Sequence, residues 1–271
     1  IGVLGAMRDA KLEPNAFSWS AAIAACERAG EWGKALGLFA GLREAGGAAD
    51  LPTWHAAISA AGSSGDVEIA RSMLEQMRGD GLNVSLRAYN GVLKACERSA
   101  DWDAALDLMV AMKAEGLTPD KYSFTSAIGA AGRAYEWEKA FGLWQAMLNE
   151  GIDIDALALH TLLRSLTASG QWQISLFVFG RAIETAPAVC SSTVFAAALE
   201  ACATGAQRDR ALEILKQMGE MDVFPSVRCY HGVCAACAAA GDAQACLAAF
   251  QDMLRQDMRP QHDTWQLVHE A

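Results

Sequence analysis

One period runs through this chain and limits what it can fold into. Trp32, Trp102, Trp137 and Trp172 are separated by 70, 35 and 35 residues. Met7, Met77, Met112, Met147, Met218 and Met253 step by 70, 35, 35, 71 and 35. Ala35, Ala70, Ala105, Ala140 and Ala211 keep the same step. Three residue types sharing one period mark a repeat array, in which each unit buries its apolar face only against its neighbours. The single step of 71 places one inserted residue between Met147 and Met218, in the loop around Pro187 to Ser191.

Numbered from the residue that opens the first helix, the repeats are 16–50, 51–85, 86–120, 121–155, 156–191, 192–226 and 227–261. Residues 1–15 read as the second half of an earlier repeat, and 262–271 open another, so the whole of 1–271 is one array. Position 4 of each first helix is aromatic or apolar: Trp19, Trp54, Tyr89, Phe124, Leu159, Phe195, Tyr230 and Trp265. Apolar residues follow at positions 7 and 8 and small ones at 10 and 11, the stripe of an amphipathic helix. A turn follows, often with glycine (Gly30, Gly65, Gly170, Gly241), and then a second helix that often stops at glycine (Gly46, Gly81, Gly116, Gly151). With abundant alanine and only 6 prolines, the expected fold is all-α: a right-handed superhelical solenoid of stacked helix-turn-helix repeats with a concave face. The chain starts at Ile1 and stops within a helical pattern, so it reads as a piece of something longer, with any targeting peptide or further domain outside it.

Several function classes drop out at this level. No stretch approaches 18 uninterrupted apolar residues, so no membrane span is expected. No Gly-rich phosphate loop and no Gly-x-Ser-x-Gly elbow occurs, so neither catalysis nor a cofactor or small-molecule substrate is expected of this segment. Cys229, Cys234, Cys237 and Cys246 cluster with His231, and Cys-x-x-Cys spacing can bind zinc. The repeat register gives a simpler reading. Cys26, Cys96, Cys202 and Cys237 share the small slot at position 11, Cys234 fills apolar position 8, and Cys246 replaces the recurrent alanine at position 20. Free cysteine packs as a small hydrophobe, so no metal and no disulfide is expected.

The segment Leu86 to Asp120 reads LRAYNGVLKACERSADWDAALDLMVAMKAEGLTPD. Its Tyr-Asn near the start, Ala-Leu mid-repeat, late Met and closing Gly-x-x-Pro-Asp resemble the pentatricopeptide repeat (PPR) family, and Ala16–Asp50 and Lys121–Asp155 match well too. The step of 35 separates it from the 34-residue tetratricopeptide pattern. The resemblance covers the chain and weakens after about residue 156. It implies a non-enzymatic binder of single-stranded RNA that reads one base per repeat, in organellar RNA processing, stabilisation or translation, hence in chloroplast or mitochondrion.

The resemblance further implies that residue 5 of a repeat and the last residue before the next contact the base edge, while residue 2 helps sandwich the base. The reading pairs are then Ser20 with Asp50, His55 with Ser85, Asn90 with Asp120 and Thr125 with Asp155. Beyond them come His160 with Cys190 or Ser191, Ala196 with Ser226 and His231 with Gln261. The sandwiching residues in the first four repeats are Phe17, Pro52, Arg87 and Tyr122. Histidine or alanine at position 5 departs from the family's Ser, Thr or Asn, so only the first, third and fourth repeats fit its combinations. They spell 5′-G-N-U-G-3′.

Charge offers an independent test. The chain carries a net −10, which argues against whole-surface attraction to nucleic acid. Yet the first thirteen positions of the seven repeats hold eight basic residues (Arg28, Arg87, Lys94, Arg98, Lys121, Arg133, Arg164, Arg228) and three acidic ones (Glu27, Glu97, Glu200). Arg28, Arg98 and Arg133 all fall at position 13, where family members carry cations that face phosphates, in the same three repeats that have acceptable pairs. The alternative reading is a protein-interaction scaffold on the same fold. It draws on the acidic sum and on Trp137 and Trp172, placed by the pattern near exposed turns.

Overall fold

The computed structural model describes residues 15–270; the half-repeat expected over residues 1–15, with Met7, lies outside the described residues apart from Asn15. The helices are α1 (Ala16–Arg28), α2 (Trp32–Glu44), α3 (Leu51–Ser64), α4 (Val67–Gly79), α5 (Leu86–Ser99), α6 (Trp102–Ala114) and α7 (Lys121–Arg133). They continue with α8 (Trp137–Asn149), α9 (Ala156–Ala168), α10 (Trp172–Thr185), α11 (Ser192–Thr204), α12 (Arg208–Glu220), α13 (Val227–Ala239), α14 (Ala243–Arg255) and α15 (His262–Glu270). Among the described residues no strand occurs. The chain is an all-α helical-repeat solenoid. The inserted residue of the fifth repeat falls where α10 gives way to a short 3₁₀ turn, Pro187–Val189.

Two compact units divide the chain, residues 1–134 and 135–271. Within the N-terminal half, α1 packs on α3, α3 on α5 and α5 on α7, so the first helices form one row. The second helices α2, α4 and α6 form the other row, each bridging its own first helix and the next one. The C-terminal half repeats the plan: α9, α11, α13 and α15 make the first row, and α10, α12 and α14 bridge it.

The periodic residues are periodic because each plugs the same gap. At position 4, Trp54, Tyr89, Phe124, Leu159, Phe195 and Tyr230 are at most 1% exposed, whereas Trp265, in the last described helix, is 52% exposed. Each such burial contributes about 1.5–3 kcal/mol. The buried phenols keep their polar ends satisfied from the second helices. Arg78 donates to Tyr89 Oη (2.7 Å), and Tyr230 Oη donates to Asp252 (2.7 Å). The late methionines Met77, Met112, Met147, Met218 and Met253 are fully buried.

Those methionines also end the second helices. The carbonyls of Met77, Met112 and Met147 accept from the amides of Leu82, Leu117 and Ile152 at 3.2, 2.9 and 3.0 Å. Met218 and Met253 do the same for Val223 and Met258, at 2.9 and 3.3 Å. This six-to-one bond requires a left-handed residue one place earlier. Gly81, Gly116 and Gly151 supply it after Met77, Met112 and Met147, but Asp222 (φ 54°) and Asp257 (φ 55°) supply it after Met218 and Met253.

Small residues set how closely the first helices approach. A Cβ on Gly62 of α3 would lie 2.1 Å from the carbonyl oxygen of Gly91 on α5, so nothing larger fits there. All eight cysteines are buried, as the slot register expects. Burial pushes the Cys96, Cys202 and Cys234 thiols up to about 12, which leaves them poor nucleophiles. Among the described residues no group of three His, Cys, Asp or Glu is placed to hold a metal ion, and no helix is long and apolar enough to cross a membrane.

Candidate nucleic-acid interface

Positions 2, 5, 9 and 13 of a helix lie within one stripe, since steps of three, four and four residues return to the same face. On the first helices of the first five repeats, position 2 of this stripe is the place the core leaves uncovered. Phe17, Tyr122 and Leu157, all at position 2, are 79%, 69% and 60% exposed, and Pro52 and Arg87 are exposed too. An uncovered aromatic ring on an ordered helix is a ready stacking platform for a base.

The last residue of each repeat is the N-cap of the next repeat's first helix. Asp50, Ser85, Asp120 and Asp155 accept from the backbone amides of Thr53, Ala88, Ser123 and Ala158. This explains the recurrent Asp or Ser there without any ligand, because a cap contributes about 1 kcal/mol. In the second and third repeats the cap side chain also meets position 5 of its own repeat. His55 Nε2 lies 2.8 Å from Ser85 Oγ, and Asn90 Nδ2 donates to Asp120 Oδ1 at 3.0 Å. A carboxylate only accepts, so the Asn90 amide must turn its nitrogen toward Asp120. The bonds to the Asp120 carboxylate from Asn90 and Ser123 all end on Oδ1.

These groups converge on a cleft of about 520 Å³ across α3, α5 and α7, lined by His55, Ser59, Arg87, Asn90, Lys94, Asp120, Tyr122 and Ser126. It combines a hydrogen-bonding pair, an exposed aromatic ring and two cations. Burial lowers the His55 imidazole below its ordinary value and the Arg87 guanidinium lowers it further, so it faces the cleft neutral at pH 7. Lys94, one of the eight basic residues of the first helices, also lines the cleft. Its position 9 falls on the same stripe, and its Nζ donates to Ser63 Oγ at 2.9 Å.

The remaining expected residues are placed less alike. Asp50 caps α3 and is exposed, while Ser20 on α1 is half-buried. Thr125 is only 8% exposed, and Asp155 caps α9. The three position-13 arginines are exposed, each with a different contact. Arg28 bonds its own helix carbonyl at Ala24 (3.2 Å), Arg98 lies over the Trp32 ring (4.8 Å), and Arg133 approaches Glu97 (3.4 Å). In the C-terminal half Ala196 is 4% exposed and offers no polar group. Ser191 and Ser226 occupy the cap position without a side-chain cap bond. His231 Nδ1 lies 3.0 Å from Thr264 Oγ1. Trp137 and Trp172, expected at the surface, are half-buried; the Trp172 ring lies where a Cβ on Gly205 would be, which removes the exposed tryptophans as support for a scaffold.

Stacked two-helix repeats with a polar, partly aromatic stripe along the first helices define an α-solenoid of helix-turn-helix repeats. The chain belongs to the pentatricopeptide repeat family: the model described as the pentacotripeptide-repeat region of PRORP matches residues 53–194, and the PPR repeat model matches 17–47. Among curated proteins none matches this chain. Among solved structures it is similar to PPR10 from maize, at 19% identity and a TM-score of 0.60, over 99% of this chain and 43% of that one. PPR10 in complex with an 18-nt psaJ RNA element matches at 22% identity and 0.61, over 98% and 42%. The nuclear proteinaceous RNase P 2 (PRORP2) of A. thaliana matches at 14% identity and 0.54, over 63% and 39%. The chain thus spans less than half of each of those chains.

Proposed function

We propose that this segment binds single-stranded RNA along the first helices of its N-terminal half, one base per repeat, as a non-enzymatic recognition module acting on organellar transcripts. The observation that carries this reading is the cleft at α3, α5 and α7. There Asn90 offers an amide N–H and Asp120 a carboxylate oxygen side by side, between the position-2 side chains Arg87 and Tyr122 and beside Lys94. A donor next to an acceptor complements a carbonyl next to N3–H on uracil. The cations meet the backbone, which single-strand binding requires. Family membership supports the reading, and so does the RNA complex of PPR10.

The expected site is 5′-G-N-U-G-3′, with Ser20/Asp50 and Thr125/Asp155 taking purines and His55/Ser85 outside the family's combinations. Selection from a random RNA pool tests it. Asn90→Thr with Asp120 kept shortens the donor and makes room for a purine, so the third base should move from U toward G while its neighbours stay. A pool with no U enrichment from the parent, or no shift from the variant, sinks the one-repeat-one-base reading.

A further inference from the structure

A buried hydroxyl sits behind the reading pair. Ser123, at position 3 of the following repeat, is fully buried. Its Oγ donates to Asn90 Oδ1 at 2.6 Å and accepts from the Asp120 backbone amide at 3.1 Å. It also lies 3.0 Å from Asp120 Oδ1. One atom therefore touches both members of the pair. Helix capping accounts for the bonds to Asp120. It does not account for the bond to Asn90, which sits 33 residues earlier on another helix.

That bond has a chemical consequence. A carboxamide carries a donor end and an acceptor end, and a swivelling amide can offer either to a base. Here the acceptor end is turned toward the buried Ser123 hydroxyl while one N–H is held by Asp120. What remains to face the cleft is the second N–H, a donor. Uracil offers carbonyl acceptors beside N3–H; cytosine offers an N4 amino donor beside a bare N3. A donor-only Asn90 suits the first and clashes with the N4–H₂ of the second.

The slot recurs in the other half of the molecule. Thr264, again at position 3 and fully buried, places Oγ1 3.0 Å from Nδ1 of His231 at position 5 of the preceding repeat. The contact thus occurs twice, at Ser123 and at Thr264, in two different repeats.

We propose that Ser123 is a positioning residue of the third repeat's reading pair: it holds the Asn90 amide with its carbonyl inward, so that the repeat presents only a donor and discriminates uracil from cytosine. The proposal rests on the RNA-binding reading of the same cleft. It adds position 3 of the next repeat to the residues that set base choice.

The test compares the parent chain, Ser123→Ala and Ser123→Thr on two short single-stranded RNAs, one containing GAUG and the other GACG. Ser123→Ala should lower the ratio of affinities for U over C by about tenfold, the effect of one lost neutral hydrogen bond. Preference at the fourth base should not change. Ser123→Thr keeps the hydroxyl, as Thr264 does, and should restore the ratio. Because Ser123→Ala also removes half of a capping box, its melting temperature will fall; the U-to-C ratio is the readout that a merely structural role would leave alone. A lowered melting temperature with an unchanged ratio overturns the proposal. If the parent itself shows no U preference, the RNA reading fails first, and the free protein still decides the lock. The Asn90 side-chain amide resonances should shift and exchange faster in Ser123→Ala, and identical resonances would overturn it.

Discussion

The two halves of this chain fold by the same rules and present different surfaces. In residues 15–134 the stripe at positions 2, 5, 9 and 13 carries Arg28, Arg87, Lys94, Arg98 and Arg133 and no acid. In the full repeats of the C-terminal half it carries Arg164, Arg228 and Glu200, and Arg228 approaches Glu200 at 3.5 Å. Position 5 is polar in every N-terminal repeat but is a buried alanine at Ala196. The cap residues Asp50, Ser85 and Asp120 bond the next helix through their side chains, whereas Ser191 and Ser226 do not. The core positions meanwhile stay filled throughout. Stacking and reading therefore use different faces of the same helix, and one can erode while the other persists.

The largest expected effect strikes stacking alone. Gly62→Ala drives a Cβ onto the Gly91 carbonyl, and such overpacking costs about 1–3 kcal/mol. Thermal unfolding followed by circular dichroism should show it. Hydrogen exchange should place the lost protection in α3 and α5, because each repeat contacts only its neighbours. Loss spread evenly over both halves would break the picture of separate stacks.

Next comes the charge contrast. Replacing Arg28, Arg98 and Arg133 together by glutamine should weaken RNA binding about tenfold, for all sequences alike, and flatten the slope of log affinity against log salt by about 2, near 0.7 per lost phosphate contact. Replacing Arg164 and Arg228 should do much less. Equal effects from the two sets would erase the distinction between the halves, and no effect from the first would favour a protein partner over RNA.

A smaller effect sharpens the comparison from the other side. Asp222 and Asp257 hold a left-handed conformation that glycine holds at Gly81 and Gly116. Asp222→Gly should raise the stability of the C-terminal half by about 1 kcal/mol, read as a higher denaturation midpoint. An unchanged or lower midpoint would mean the aspartate side chain compensates for its backbone.

The smallest concerns pH. Burial lowers the imidazoles of both His55 and His160, and arginines (Arg87; Arg164 and Arg228) add to it, while Glu200 opposes the shift at His160. A folded-state value below the unfolded 6.5 means that the folded chain binds fewer protons. This contribution is fully present above pH 6.5 and is lost as pH falls through the folded values. Urea midpoints at pH 7.5 and 5.5 should differ in that direction, and His55→Gln should shrink the difference.

Much of this was legible in the sequence. The spacing of Trp, Met and Ala predicts where the first helices open, and α1, α3, α5, α7, α9, α11 and α13 begin at Ala16, Leu51, Leu86, Lys121, Ala156, Ser192 and Val227. The cysteine register was legible for the same reason: a slot that recurs at fixed spacing must meet the same neighbours. The cleft draws in five residues that the family resemblance singles out, His55, Asn90, Asp120, Arg87 and Tyr122. Lys94 was visible as a cation but not as a lining residue. Ser123 gave no signal, since a serine near a helix start already has a sufficient explanation in capping.

The sequence by itself determined the period, the pairing of helices within a repeat and the faces turned to the core, because these follow from local propensity and from apolar spacing within one chain segment. Only the tertiary structure decided which side chains meet across repeats. Ser123 reaches Asn90, Ser85 reaches His55, and Arg98 lies over Trp32 rather than standing free. Such contacts depend on the distance and rotation between stacked helices. Those are set by how closely a pair such as Gly62 and Gly91 lets two backbones approach, a quantity no single repeat contains.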